Sequence, residues 1–294
     1  MGEPLLAQIN YSVVRTFYKF AERLGPHKII EVFAVMVVRL MRVAVIAGEK
    51  VSLDSSVIWA WFKDCRYANK PNHGNKRCGH HRARDRDASW TWDLHREKYV
   101  FGYKVHVAID SLSGLQVMLT VTKAGYGDGR TVPWFVRMIA KRLRLQVKKF
   151  KADAGYDGYR VRLLVIKKLK AVPFITLNPR NCKGNTKEEK RQRCKWLRRK
   201  WFRRKWYAKN FLKKFWVDLD SEEFDEEFDS RTFSEQGFSV SNGSLNLDAL
   251  KGKGKARATL QAALICKVML GVAKTATEIG RSDLTRSVKW FQGR

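Results

Sequence analysis

The sequence predicts an α/β fold: a mixed sheet flanked by helices, with a helical N-terminal region ahead of it and a basic, Trp-rich insertion late in the chain. Three observations carry that prediction. Three strand-like runs before residue 125 have no helical pattern between them, so they should pair antiparallel. Beyond residue 130, helical and strand-like runs alternate, which calls for crossovers and parallel strands. Finally, Asp153 ends a short strand-like run in FKADAGYDG (Phe150 to Gly158), just before a Gly-containing turn and a helical pattern. Open α/β sheets place their chemistry at such strand ends.

Taken in order, Leu5, Ile9, Val13, Phe17 and Phe20 recur at helical spacing until Gly25-Pro26 breaks the pattern. A second helix is predicted from about His27 to Ala47. Residues 1–47 thus form a helical prelude that serves DNA ends or self-association, or simply caps the core. VSLDSSVI (Val51 to Ile58) is a short β-prone run containing Asp54. Lys63 to Arg96 reads as irregular, being rich in His, Arg, Asn and Gly. Lys98 to Asp110 is a long strand, and turn residues Ser111 to Gly114 join it to a hairpin partner, Leu115 to Ala124. Thr131 is a helix N-cap with Pro133 in the first turn, and that helix runs to about Leu145. A strand ending at Asp153, a helix over Tyr159 to Leu169 and a strand over Ala171 to Pro179 follow.

Residues 183 to 216 fit neither the helical nor the strand period and receive no assignment. Asp218 to Asp229 reads as an acidic linker, and about Ala256 to Ala276 as an amphipathic helix for core packing. The domain reading is a helical region at 1–47, a catalytic domain at 48–276 with its insertion at about 183–229, and a tail at 277–294.

Composition narrows the function. The chain has 294 residues, 45% of them hydrophobic, with a formal net charge of +31 and a pI of about 10.2. Such an excess of cations repels itself unless a polyanion is near, which points to nucleic acid. Arg198, Arg199, Arg203, Arg204 and Lys205 interleave with Trp201 and Trp206, a pattern suited to phosphate contact and stacking on bases. A solvated helical hairpin packed on the body is the other reading of that stretch. No signal peptide is visible, and Ile29 to Ala47 carries Glu31, Arg39 and Arg42, so it reads as a buried or dimer-forming helix rather than a membrane span. Five scattered cysteines fit a reducing cytosol, so the expected location is cytoplasmic and nucleoid-associated.

The acids suggest the chemistry. Asp54 lies on the first strand of the α/β part and Asp153 on the fourth predicted strand, and these two strands can lie side by side in a mixed sheet. Paired carboxylates there suit Mg²⁺ or Mn²⁺, and two such ions support phosphodiester displacement. Turn and cap roles for the same residues stay open. A rival zinc site would use Cys65, His73, Cys78, His80 and His81, but only the last three have close spacing, and a basic loop is the better reading. Lys104 and His106, alternating with Val105 and Val107, read as a solvent-facing row able to approach DNA.

Several stretches then match a family. DASWTWD, EKYVFGYKVHVAIDSLSGLQVMLTV, GYGDGRT and ADAGYDG together resemble the DDE transposases of prokaryotic insertion sequences. The match is to the group with a Tyr, Arg, Glu, Lys signature around its last acid. The resemblance covers roughly Val51 to Ala276. It implies an RNase H-like fold with an insertion before the glutamate helix, and a catalytic, metal-holding set of Asp54, Asp153 and Glu235. In RTFSE, Arg231 precedes Glu235 with the family's spacing. Phe228 stands where tyrosine is expected and Asn242 where lysine is, which puts that DNA-end contact in doubt; Lys251 is a neighbour that could substitute. Glu226 and Glu227 are fallback acids, otherwise linker charges. Asp128 matches a recurrent family aspartate and reads as a loop or helix-start residue. Asp157 reads as a helix-start charge complementing the dipole. The implied activity is metal-dependent cleavage at element ends and strand transfer into target DNA, by a homodimer on double-stranded DNA (inverted repeats and target), with no membrane. A catalytically inactive DNA-binding derivative and an RNase H-like nuclease are the alternatives.

Overall fold

The structure, a computed structural model, describes residues 11–61, 85–93, 97–178, 180, 183–204, 215, 217–229, 232–247, 250 and 252–291. For 11–18, 21, 187, 198–204, 232–236 and 239 it describes the backbone alone. The proposed zinc residues Cys65, His73, Cys78, His80 and His81 lie outside the described residues, as do Lys205, Trp206, Arg231 and Lys251.

The first helix, α1 (Tyr11–Arg42), keeps the predicted break: Gly25 adopts φ 76°, a left-handed region open to glycine, and Pro26 restarts the helix. The second half ends at Arg42 rather than Ala47. Phe33, Val37 and Leu40 bury its inner face.

Six strands make one sheet: β1 (Lys50–Trp59), β2 (Ser89–Asp93), β3 (Lys98–Asp110), β4 (Gln116–Lys123), β5 (Lys149–Ala152) and β6 (Val172–Ile175). The order is β2-β3-β1-β5-β6, and β4 also pairs β3. β1–β3, β2–β3 and β3–β4 are antiparallel, whereas β1–β5 and β5–β6 are parallel. The mixed sheet therefore follows the pattern of missing and present helices. β2 corrects the irregular reading of 63–96: SWTWD alternates β-prone aromatics, and Trp90 packs on Phe101 across the ladder.

Directly paired residues share a face. One face carries Leu53, Ser55, His106, Phe150 and Ala152; the other carries Asp54, Ser56, Val105, Val107, Lys149 and Lys151. The crossover after β4 is α2 (Val132–Arg137), which widens into a π-helical turn at Met138–Leu143. After β5 comes α3 (Tyr159–Leu164), which widens likewise at Val165–Leu169. Both end on left-handed residues, Arg144 and Lys170, that turn the chain into the next strand.

The late chain departs from its reading. α4 (Lys187–Arg204) brings order to part of the 183–216 stretch. The acidic linker is a helix, α5 (Glu222–Asp229), because Phe224 and Phe228 at i, i+4 stack at 5.8 Å and dock on Phe174. Phe228, standing where tyrosine is expected, is thus a packing residue. α6 (Thr232–Gly243) and α7 (Lys255–Glu278) cover the Asp54 face, where Phe238, Ala262 and Cys266 close over Val105 and Val107. α7 is long and apolar enough to cross a membrane by length and composition, yet it is mostly buried against α1 and β4. α8 (Val288–Phe291) ends the described chain. Cys194 is disulfide-bonded, a departure from the expectation of a reducing setting, while Cys266 is a buried free thiol.

Gly102 is the tightest backbone approach in the sheet. A Cβ there would stand 2.0 Å from the Ile58 carbonyl oxygen. Gly102→Ala is therefore expected to cost about 3 kcal/mol or more, because strand backbone cannot yield as a side chain can. A denaturant melt checks this, and an unchanged midpoint would refute the packing described.

Candidate active site

The site forms where β1 and β5 run side by side. Leu53 pairs Ala152 in parallel register, so the next residues, Asp54 and Asp153, advance together toward the carboxyl ends of neighbouring strands. Adjacent strands lie about 4.8 Å apart, which brings the two acids within reach of a shared cation. Asp54 Oδ1 accepts from the Ser55 amide at 2.8 Å. Asp153 caps the turn after β5, its Oδ1 accepting from Gly155 N at 2.9 Å. These local bonds fix both carboxylates before any ligand arrives.

Beneath them lies a buried polar set from the other sheet face. Tyr156 is fully buried, and burial followed by the negative charges of Asp128, Asp54 and Asp153 raises its pKa well above the ordinary value. Three carboxylates therefore surround one phenol. His106, also fully buried, places Nε2 2.9 Å from Thr122 Oγ1 and Nδ1 3.4 Å from the Tyr156 hydroxyl. The Thr122 hydroxyl donates to the Lys123 carbonyl, so His106 carries its proton on Nε2. Burial holds its pKa down to about 4, the Asp128 carboxylate opposing and Lys104 adding to the depression, so the ring is neutral at pH 7. Lys104 Nζ pairs with Asp128 Oδ1 at 2.9 Å. The solvent-facing row expected at Lys104 and His106 is thus wrong: both point inward, because that face receives Tyr156 and the turn after β5.

Asp128 does begin a short helical turn (Asp128–Arg130), as read from the sequence. Thr131 starts α2 without a side-chain cap bond; its hydroxyl instead donates to the Asp128 carbonyl at 2.7 Å. Asp157 stands just ahead of α3, as read from the sequence, and also makes specific contacts. Its carboxylate takes Arg162 at 2.8 Å and the Asn178 amide at 2.9 Å, fastening α3 to the end of β6.

Glu235 lies in the second turn of α6, with its side chain outside the described atoms. Two residues on, Gly237 lies against Ile109 and Gly114, beside the β3–β4 turn and the amino end of β1. Asn242, seven residues after Glu235, reaches the Asp54 side of the sheet, its Nδ2 3.5 Å from Ser56 Oγ. The structure brings Asp54, Asp153 and Asp128 near Tyr156. Among the described residues, no three His, Cys, Asp or Glu side chains are gathered to hold a metal. The donors at the strand ends are hard carboxylate oxygens, which fit Mg²⁺ or Mn²⁺. Arg198, Arg199, Trp201, Arg203 and Arg204 are placed by backbone only, in the last turns of α4. Of that helix's described side chains, Trp196 and Leu197 are exposed.

Two acids on adjacent central strands of a six-stranded mixed sheet are donors of the kind that metal-assisted phosphoryl transfer uses. The chain matches the transposase DDE domain family over residues 71–270, more than half its length, and belongs to that family. Its sheet and flanking helices are the α/β RNase H-like architecture of such transposases. The matched span includes Asp128, Asp153 and Glu235 and begins after Asp54. No curated protein and no solved structure matches the chain.

Proposed function

We propose that this transposase cuts DNA at element ends and joins the freed 3′ end to target DNA, in a divalent-cation-dependent reaction. The observation that carries the reading is the register of β1 and β5, which sets Asp54, midway along β1, beside Asp153 just past the end of β5. Those two carboxylates would hold Mg²⁺ or Mn²⁺, which supplies activation of a water or 3′-hydroxyl and charge relief at the leaving oxygen. Ser55 and Gly155 amides orient the carboxylates, and buried Tyr156 and His106 keep bulk water from beneath them. Glu235, on α6, is the proposed third acid on the strength of its spacing from Arg231.

The +31 charge supports DNA as the substrate, and two element ends held together call for a homodimer. One observation favours a second reading, a DNA-binding derivative without catalysis: Asn242 stands where the signature has lysine, and its Oδ1 is buried with no hydrogen-bond partner among the described residues. Purified protein incubated with Mn²⁺ and labelled DNA from the flanks of its gene decides between them. Cleavage at short inverted repeats followed by joining supports the transposase; tight, salt-sensitive binding with no cleavage supports the derivative; cleavage without joining indicates a nuclease.

A further inference from the structure

We infer that a groove between the end of α1 and the turn closing the α2 crossover is a second contact for the DNA phosphate backbone, apart from the strand-end acids. The inference rests on the reading of the chain as a protein that acts on DNA. Arg39 and Arg42 stand in the last turn of α1, and Arg142 in the last turn of the π-helical stretch Met138–Leu143. Though distant in sequence, the three side chains line one groove of about 310 Å³. Ala34, Val35, Val38 and Leu143 supply its apolar walls. All three arginines are exposed, and none has a hydrogen bond or ion pair among the described residues. The acid that lines the groove, Glu31, is already taken by Lys28 at 3.1 Å.

Cations at helix carboxyl ends also complement the helix dipole, but each end carries only about half a negative charge. Two helix ends offset roughly one of the three guanidinium charges, so the groove keeps an excess of about two. A guanidinium is a planar fork that meets two phosphate oxygens at once. Arg39 and Arg42, three residues apart on one helix, share a side and can grip neighbouring phosphates. The groove is also set away from the chemistry. α1 leads through residues 43–49 into the amino end of β1, and Met138–Leu143 leads through 144–148 into the amino end of β5. Asp153 follows the carboxyl end of β5, whose four residues span roughly 13 Å. DNA held in the groove is anchored without its phosphates touching the cutting site.

The test uses the full-length protein and compares duplex DNA from an element end with unrelated duplex of the same length, titrated over a series of salt concentrations. Each phosphate contact contributes about −0.9 to the slope of log K against log salt. The Arg39→Gln, Arg42→Gln, Arg142→Gln triple variant is expected to flatten that slope by about 2 to 3 and to weaken binding to both duplexes about 10-fold at 0.1 M salt. Its single-turnover cleavage rate at saturating DNA should match wild type, and the corresponding Arg→Lys triple should recover most of the slope. Lys274→Gln, Arg281→Gln, Lys289→Gln removes the same charge elsewhere and should change the slope less. An equal change in that control would show that only total charge matters and would overturn the inference. So would wild-type slope and affinity in the Arg→Gln triple, including the case in which that variant instead loses binding to phosphatidylserine vesicles, which would assign the groove to a membrane surface. If the wild-type protein itself binds neither duplex, the reading of the chain as a DNA-acting protein fails first.

Discussion

Asp153→Asn is expected to reduce cleavage of element ends by on the order of 1,000-fold while leaving DNA binding intact. The substitution keeps the shape of the side chain, so the bond from the Gly155 amide survives. What disappears is the negative charge that would hold the cation. The fold should not suffer, because the amide oxygen of Asn keeps the cap on the turn after β5. Asp54→Asn should behave alike, since the β1–β5 register makes the two residues equivalent partners. The measurement pairs single-turnover cleavage with a gel-shift titration on the same DNA. Cleavage within a few-fold of wild type in Asp153→Asn would remove this residue from the chemistry.

The second large effect concerns stability. Glu227 on α5 takes Lys50 at 2.6 Å, Lys149 at 2.8 Å and Lys151 at 2.9 Å. Lys151 is fully buried on β5, two residues before Asp153. Burial lowers the Lys151 pKa, Lys50 and Lys149 add to that, and Glu227 opposes it. Glu227→Ala removes the counter-charge that Lys50, Lys149 and Lys151 share and is expected to cost about 3–5 kcal/mol. Glu227→Gln combined with Lys151→Met removes the buried pair as a unit and should cost far less. A denaturant melt of the three proteins reads this out; equal losses for the single and double variants would contradict the account.

The same cluster sets an acid limit. Burial alone would raise the Glu227 pKa, yet hydrogen bonds from Lys149, Lys50 and Lys151 outweigh it and bring the value down to about 2 from 4.5. A carboxylate depressed on folding stabilises the fold fully above its unfolded pKa. That contribution, about 3 kcal/mol, is lost as pH falls from about 4.5 toward 2. In Glu227→Gln, this part of the acid transition should vanish.

Much of the sheet was legible because its cues are local. Strand-like runs without helices between them gave the antiparallel strands, and the later alternation allowed β1 and β5 to lie side by side, while the family resemblance singled out Asp54 and Asp153 as partners. β2 was missed because its five residues sit within a basic, Gly-containing stretch that masks the alternation of Trp90 and Trp92. α5 was missed because its eight residues look like a charge run, and only the docking of Phe224 and Phe228 on Phe174 makes them a helix. The roles of Lys104, His106 and Asp128 were beyond reach for a similar reason. Alternation showed that Lys104 and His106 share a face but not that Tyr156, fifty residues after His106, covers it. A clue was available in the β-prone neighbours on both sides, which mark a strand covered on two faces rather than one.

The central claim is that Asp54 and Asp153 jointly hold the catalytic cation. Its most direct test replaces that cation with Fe²⁺ and, with peroxide and ascorbate, maps where the protein's own backbone is cut by locally generated radicals. The account predicts cuts beside residues 54 and 153 in the wild-type protein, suppressed by excess Mg²⁺ and absent in Asp153→Asn. Cuts that fall elsewhere, or that persist unchanged in Asp153→Asn, would contradict it.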